Sequence, residues 1–436
     1  MSHDELAQAC KEVLKKNDKG SFTVPASPLY PHQWLWDSCF IAIGLRHIDI
    51  KRAQVEIKSL LRGQWSNGMV PNMVLSTDET SQAGSFWRSS VSPFSPDNVA
   101  TSGITQPPVI AEAVVRIGEK LDKQERRKWY QDVFHALLAY HQWLYAERDP
   151  HQEGLVLQVH PWETGLDNTP PWMFELHQHQ MPTWIRIVAA LKLDTIIGFF
   201  RRDSTLSMPG ERLSTLDGLA FYSIQRRLRR KRYDIQSILS HSHLSIEDVT
   251  FNAIFIRNNH HLKTIAKGIG KKLPEDLLKR MRQTEGAFEK LWDTYTNQYY
   301  SRNFVTHKMI KVPSIGALMP LYGGHLAKER AKDLVKMLTD NKQFWLKYPV
   351  PSVPVNSEWF HEHRYWQGPT WINTNWLIIA GLERHGFIEE ANHIKEQTIK
   401  LVSKNGLSEY FSPKDGAPVG AENFAWTAAL VLDMLC

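Results

Sequence analysis

Cysteine is scarce. Cys10, Cys39 and Cys436 are too few and too scattered for a disulfide framework or a thiolate metal site. None falls in a Cys-x-x-Cys pair, and the scarcity points to a reducing compartment. Long apolar runs are also missing. The best candidate, from Trp184 to Phe200, is interrupted by Arg186, Lys192 and Asp194, so it reads as an amphipathic helix rather than a membrane crossing. The opening Met1-Ser2-His3-Asp4-Glu5 shows no charged stretch leading into an apolar one, so no secretory signal is expected. Neither sign of charge dominates: 52 Lys and Arg stand against 46 Asp and Glu, a net +6. Part of that surplus is one run, Arg226-Arg227-Leu228-Arg229-Arg230-Lys231-Arg232. No nucleic-acid-binding motif accompanies it, and the solvated face of a helix is the expected reading. These absences describe a soluble, cytoplasmic chain with neither a nucleic acid nor a membrane as partner.

Tryptophan is plentiful, with 16 residues, many set near Asp, Glu, Asn or Gln rather than in long apolar runs. A large core would also use tryptophan, but an aromatic, polar-lined cleft is what carbohydrate recognition requires. The densest stretch is His160-Pro161-Trp162-Glu163-Thr164-Gly165-Leu166-Asp167-Asn168-Thr169-Pro170-Pro171-Trp172. Three prolines exclude a regular helix through it. It reads as a shaped loop carrying two acids between aromatic walls, with Asp167 the candidate general acid. A buried acidic turn of purely structural value is the alternative at this point.

Periodicity elsewhere is helical. Segments at Asp4–Lys16, Cys39–His47, Lys51–Gln64, Lys123–Arg148, Trp184–Phe200, Ile246–Lys271, Pro274–Tyr295, Ile315–Tyr322, Leu326–Thr339, Pro369–His385, Ile388–Asn405 and Asn423–Leu435 carry apolar stripes, as does one from Pro108 to about Leu121. Asp37 is placed to cap the helix that follows it, Cys39–His47, and Gly386 to stop Pro369–His385. The stretch from Arg201 to Ser245 offers little beyond its basic run. About twelve helices in sequential pairs, with few convincing strands, fit an all-α fold, a closed ring of six hairpins or (α/α)6 barrel. No linker or composition break appears, so one domain over 1–436 is expected.

The long connections hold the chemistry: Asp37 with Tyr30, Trp34 and Trp36; Glu163 with Asp167; and Glu409 with Tyr410 and Phe411. Glycoside hydrolysis needs two carboxyl groups flanking the scissile bond, one protonated and one ionised. Apolar walls such as Trp162 and Trp172 would hold a proton on the acid by disfavouring its charge. Asp167 and Glu409 lie 242 residues apart in the chain, so only ring closure would bring them together. Glu163 and Glu422 are rival bases. His361-Glu362-His363 lacks metal-protease spacing, so no metal is expected there.

Five segments in order, YPHQWLWDSCF from Tyr30, GITQPP from Gly103, WETGLDNTP from Trp162, YWQGPTW from Tyr365 and FAWTAALVLD from Phe424, resemble the family 63 glycoside hydrolases. The resemblance is to the small (α/α)6 branch holding mannosylglycerate, glucosylglycerate and amylo-α-1,6-glucosidase-like hydrolases. It implies an inverting α-glycosidase with Asp167 as general acid and Glu409 as general base, a water between them, and no cofactor or metal. Inversion places the carboxyls roughly 6.5–9.5 Å apart. The resemblance also implicates Tyr30, Trp34, Asp37, Gln106, Trp162, Gly165, Tyr365, Trp366, Gly368 and Trp371 in sugar binding. The expected partner is a small α-glucoside or α-mannoside, with a homo-oligomer left open. Two departures stand out. Gln367 occupies the place of an arginine in YWRGP. The arginine-proline and following tyrosine of the glycerate-releasing members have Arg212-Leu213 and Gly218 as nearest counterparts. A carbohydrate-binding barrel without catalysis is the competing reading, and the presence of both carboxylates speaks against it.

Overall fold

The computed structural model describes residues 1–76, 82–192, 211, 213–240, 244–324 and 326–436. Six helical segments pack neighbour to neighbour into a closed ring: Leu35–Leu45, Ile110–Glu119, Val249–Gly268, Pro320–Gly323, Ile372–His385 and Ala425–Leu435, which returns to Leu35–Leu45. Outside it lie His3–Asn17, Ile50–Leu61, Lys123–Arg148, Glu275–Ala287, Lys328–Leu338 and Ile388–Asn405. The outer helices Ile50–Leu61 and Ile388–Asn405 each cover the inner helix that precedes them, whereas His3–Asn17 covers Ala425–Leu435 from the other end of the chain. This is the (α/α)6 barrel expected from the paired periodicity.

The inner helices read as they do because both of their faces are covered. Every residue of Leu35–Leu45 is buried, as are nine of the eleven in Ala425–Leu435. The outer helices keep one wet face, as in Ile50–Leu61, where Ala53, Glu56, Ile57 and Leu60 form the buried stripe. The ring closes tightly between the first and last inner helices. A Cβ at Gly44 would stand 2.4 Å from the Ala429 backbone, so only glycine permits that approach.

Several boundaries shift for local reasons. The first inner helix begins at Leu35, so Asp37 sits in its first turn; Trp34 occupies the cap position without a side-chain bond. Asp37 is therefore not a cap, and its carboxyl is left for the ring's mouth. The helix expected from Ile246 begins at Val249, because Asp248 caps it by accepting from the Phe251 N–H. Ile246–Glu247 instead pairs with Arg302–Asn303 as a short antiparallel ladder. The helix from Pro274 ends at Ala287 and gives way to a 3₁₀ turn and the hairpin Trp292–Asp293 with Gln298–Tyr299. Ile315–Tyr322 divides into a 3₁₀ turn and a short α-helix opened by Pro320. Thr183–Ala190 is helical, and the rest of the expected segment to Phe200 lies outside the described residues from 193 onward. Within the stretch that sequence left blank, Thr215–Arg230 and Ile235–Leu239 are helices. Gly386 takes the left-handed conformation that ends Ile372–His385, as expected.

Candidate active site

Loops leading into the inner helices converge on one cavity at the mouth of the ring. The pair Gln33–Trp34 with Met73–Val74 holds the first loop. The pair Tyr410–Phe411 with Pro418–Val419 holds the last. Thr370 joins the last two loops by exchanging backbone hydrogen bonds with Phe411, at 2.8 and 3.0 Å. The acid loop is a 3₁₀ turn, Pro161–Thr164, then Gly165, then a short helix from Pro170. Its prolines initiate helical turns, with Pro161 and Pro170 at first positions.

The cavity is lined by Tyr30, Trp34, Asp37, Gln106, Gly165, Asp167, Tyr365 and Glu409, together with Pro25, Trp36, Phe424 and Trp426. Three carboxyl groups from three segments far apart in the chain thus share one aromatic-walled space. Gly165 has φ of 72°, and a Cβ there would stand 2.6 Å from the Trp36 ring, so this glycine lets the acid loop lie on the wall. Asp167 is half-buried in the wall, whereas Glu409 is 1% exposed. The Tyr30 hydroxyl donates to Glu409 Oε1 at 2.8 Å, and the Ala421 N–H donates to Oε2 at 2.9 Å. These two bonds fix the carboxylate plane. Tyr30 is itself held edge-on by Trp34 and Phe424.

Asp37 is 4% exposed. Burial pushes its carboxyl well above the ordinary carboxylate range; its own backbone N–H opposes this, and the charges of Glu409 and Asp167 add to it. No Lys, Arg or His is among the described residues lining the cavity. A carboxyl raised in this way holds its proton more readily than a free one and is suited to hydrogen-bonding a hydroxyl.

The other sequence candidates sit behind this wall or away from it. Trp366 and Trp371 stack at 3.8 Å with 5° between planes, Trp371 stacks on Tyr410, and Trp36 leans on Trp366. They support the wall and do not line the cavity. Gly368 lies in the same loop, against the His361 carbonyl. Trp162 packs on His160, Phe86, Trp87 and Phe221 in a separate apolar cluster that also buries Trp172. Neither tryptophan is in the cavity lining. Phe424 and Trp426 were missed although a quoted segment contains them, and Trp36 was noted beside Asp37 without being named as a binding residue. Both rings of each pair, Trp34 with Trp36 and Phe424 with Trp426, line the cavity.

Of the rival bases, Glu163 is fully buried elsewhere. It pairs with Arg148 at 2.6 Å and accepts from the Val159 and Thr105 N–H groups, so it ties the acid loop to the GITQPP loop. Glu422 is exposed and outside the lining. Asn168 ties the acid loop to the YWQGPTW loop: its Oδ1 accepts from the Trp366 N–H, and its carbonyl accepts from the Gln367 amide, each at 2.9 Å. Glu362, His363 and Asp415 bring three ligand-type atoms within 4.8 Å of one another. Glu362 already accepts from Ser412 and pairs with Lys414. Leu213 lies before the Thr215–Arg230 helix and Gly218 within it, while Arg212 lies outside the described residues.

Residues 30–427 match the family model described as the mannosylglycerate hydrolase MGH1-like glycoside hydrolase domain. The chain belongs to this glycoside hydrolase family. A mannosylglycerate hydrolase of Thermus thermophilus is 36% identical over 97% of this chain and 98% of its own length. The glucosylglycerate hydrolase of Mycolicibacterium hassiacum is 30% identical over all of both chains. The crystal structure of the family 63 mannosylglycerate hydrolase from Thermus thermophilus with Tris and D-glycerate matches with a TM-score of 0.87 at 36% identity. That match covers 98% of this chain and 99% of the other. This family 63-like chain is thus a glycoside hydrolase, and the cavity described above is its candidate active site.

Proposed function

We propose that this glycoside hydrolase cleaves a small α-mannoside or α-glucoside of glycerate with inversion. Asp167 protonates the leaving oxygen and Glu409 removes a proton from the attacking water. The observation that carries this is the meeting of Asp37, Asp167 and Glu409 in one aromatic-walled cavity, from loops that only ring closure joins. The full-length similarity to mannosylglycerate and glucosylglycerate hydrolases supports the glycerate leaving group.

Each carboxyl has a physical assignment. Glu409 is oriented by Tyr30 and Ala421, as a base aimed at one water must be. Asp167 is half-buried at the cavity wall, open enough to meet a leaving group arriving from solvent. Asp37, buried and with its carboxyl pushed upward by that burial, binds a hydroxyl of the sugar held beside the scissile bond. The reaction breaks the bond between the anomeric carbon and the glycosidic oxygen. That oxygen leaves as a glycerate hydroxyl carrying the Asp167 proton, and water supplies the new hydroxyl on the opposite face.

The test is a panel of mannosylglycerate, glucosylglycerate, trehalose, isomaltose, kojibiose and maltotriose, with proton NMR on the first sugar released. Turnover of either glycerate glycoside with β-sugar appearing first is the expected result. First release of α-sugar would remove Glu409 as base. Turnover of the disaccharides with the glycerates untouched would replace the leaving group and leave the acid and base in place.

A further inference from the structure

The basic run is not one solvated face. On the Thr215–Arg230 helix it divides in two. Arg229 donates to the carbonyls of Ser85 and Phe86, and Arg232, just beyond the helix, donates to that of Val91, so these two dock the helix on a neighbouring segment. Arg226, Arg227, Arg230 and Lys231 fall at i, i+1, i+4 and i+5, a single stripe. That stripe forms one wall of a cleft of about 490 Å³, separate from the catalytic cavity. Trp184 and Tyr222 belong to the same lining and are 44% and 42% exposed. No Asp or Glu is among the described residues of that lining.

Neither the helix nor the core explains this arrangement. Like charges at i and i+4 disfavour a helix. Favourable interaction with the dipole accounts for cations in the last turn, but not for the large rings set beside them. Large aromatic side chains left half in water next to guanidinium groups are the composition of a site for a ring-bearing anion. Arginine forks match phosphate oxygens, and an aromatic face stacks on a sugar or base. The volume is that of a small-molecule site rather than an extended polymer track.

We propose that this cleft is a second binding site, for a small phosphorylated ring compound, with phosphate on Arg226 and Arg230 and the ring on Trp184. A sugar phosphate and a nucleotide share that chemistry.

Calorimetric titration of the full chain with glucose 6-phosphate, adenosine 5′-monophosphate, glucose, adenosine and inorganic phosphate tests it. At least one ring phosphate should bind about tenfold or more tightly than inorganic phosphate and than its own unphosphorylated ring. Which of the two binds distinguishes sugar from nucleobase. Arg226→Ala with Arg230→Ala should weaken that binding about tenfold or more, with partial rescue by the two lysine variants, which keep the charge but not the fork. Trp184→Ala should abolish the preference for the ring and leave inorganic phosphate binding unchanged. Neither variant should change hydrolysis measured without added phosphate compounds. Equal, weak binding of every anion, unchanged by Trp184→Ala, would overturn the proposal. So would binding of duplex DNA or anionic phospholipid vesicles with silence toward all the small probes.

Discussion

At the mouth of the ring Asp37 is buried among acids; toward its base Asp433 and Glu112 are buried among bases. Asp433, in the last turn of the final inner helix, accepts from Arg46, His47 and the Trp376 indole. Burial raises its carboxyl, but these partners outweigh burial and hold it below the ordinary range. Glu112 is fully buried against His261, Arg116 and the Tyr322 hydroxyl, and its carboxyl is held well below the ordinary range for the same reason. Among the described residues Asp37 has no such cationic partner in the cavity lining, and its carboxyl moves the other way. The base of the ring neutralises its buried charges as a stable fold requires. The mouth instead gathers three carboxyls in one cavity, the arrangement that two-carboxylate hydrolysis needs.

If the mouth is built for chemistry, its carboxyl-to-amide changes should remove turnover and leave the fold intact. Asp167→Asn and Glu409→Gln should each lower kcat roughly 10³-fold or more, the upper part of the range for general acid–base groups. An α-glycosyl fluoride, whose leaving group needs no proton, separates the two. Asp167→Asn should regain most of its rate on the fluoride and Glu409→Gln should not. Equal behaviour on the fluoride would break the assignment of roles.

The base should respond in the opposite way. Glu112→Gln leaves His261, Arg116 and Arg257 facing an amide, and should cost about 3–5 kcal/mol by urea denaturation at pH 7. Because the folded carboxyl is depressed, its contribution is present above the unfolded value of roughly 4 and is lost as pH falls through the folded one. The difference between Glu112→Gln and the parent should therefore shrink in acid. A difference that persists unchanged below pH 4 would show that packing, not charge, is lost.

Much of this contrast was legible in the chain, and its limits are physical. Helical periodicity and paired spacing specified the ring, because inner and outer helices differ in how many faces they bury. Asp37, Asp167, Glu409 and Tyr30 were marked by residue type beside aromatic rings. Trp162, Trp366 and Trp371 carried the same mark, yet they pack behind or away from the cavity. Tryptophan next to an acid looks alike in a wall and in the layer that backs it. Asp37 as a helix cap failed because the helix expected from Cys39 starts four residues earlier, at Leu35, a shift no local pattern records. The Glu112 network was not visible at all. His261, Tyr322 and Arg257 come from inner helices far along the chain, and only the closed ring makes them neighbours.

Tyr30→Phe removes one donor to the Glu409 carboxylate. Hydrogen bonds to charged groups contribute about 1.5–3 kcal/mol, and the half-exposed position lets water replace part of that. A fall in kcat of about tenfold, with KM nearly unchanged, is expected from steady-state kinetics. A loss as deep as that of Glu409→Gln would make the phenol a participant in the chemistry rather than an orienting group.

Asp37→Asn gives the smallest effect and the sharpest comparison. A carboxyl raised by burial contributes its stability below the unfolded value and loses it as pH rises through the folded one. At pH 7 the parent therefore works against its own fold at this position. An amide of the same shape carries no such charge, so Asp37→Asn should be more stable than the parent at pH 7 by about 1 kcal/mol, the scale of one pKa unit. The gain should vanish near pH 4. Activity should fall in the same variant, because the sugar loses a carboxyl partner in the cavity. One substitution would then stabilise the protein and impair the enzyme, while its counterpart at Glu112 destabilises the protein. Destabilisation by Asp37→Asn at pH 7 would instead mean that the mouth neutralises its buried carboxyls as the base does.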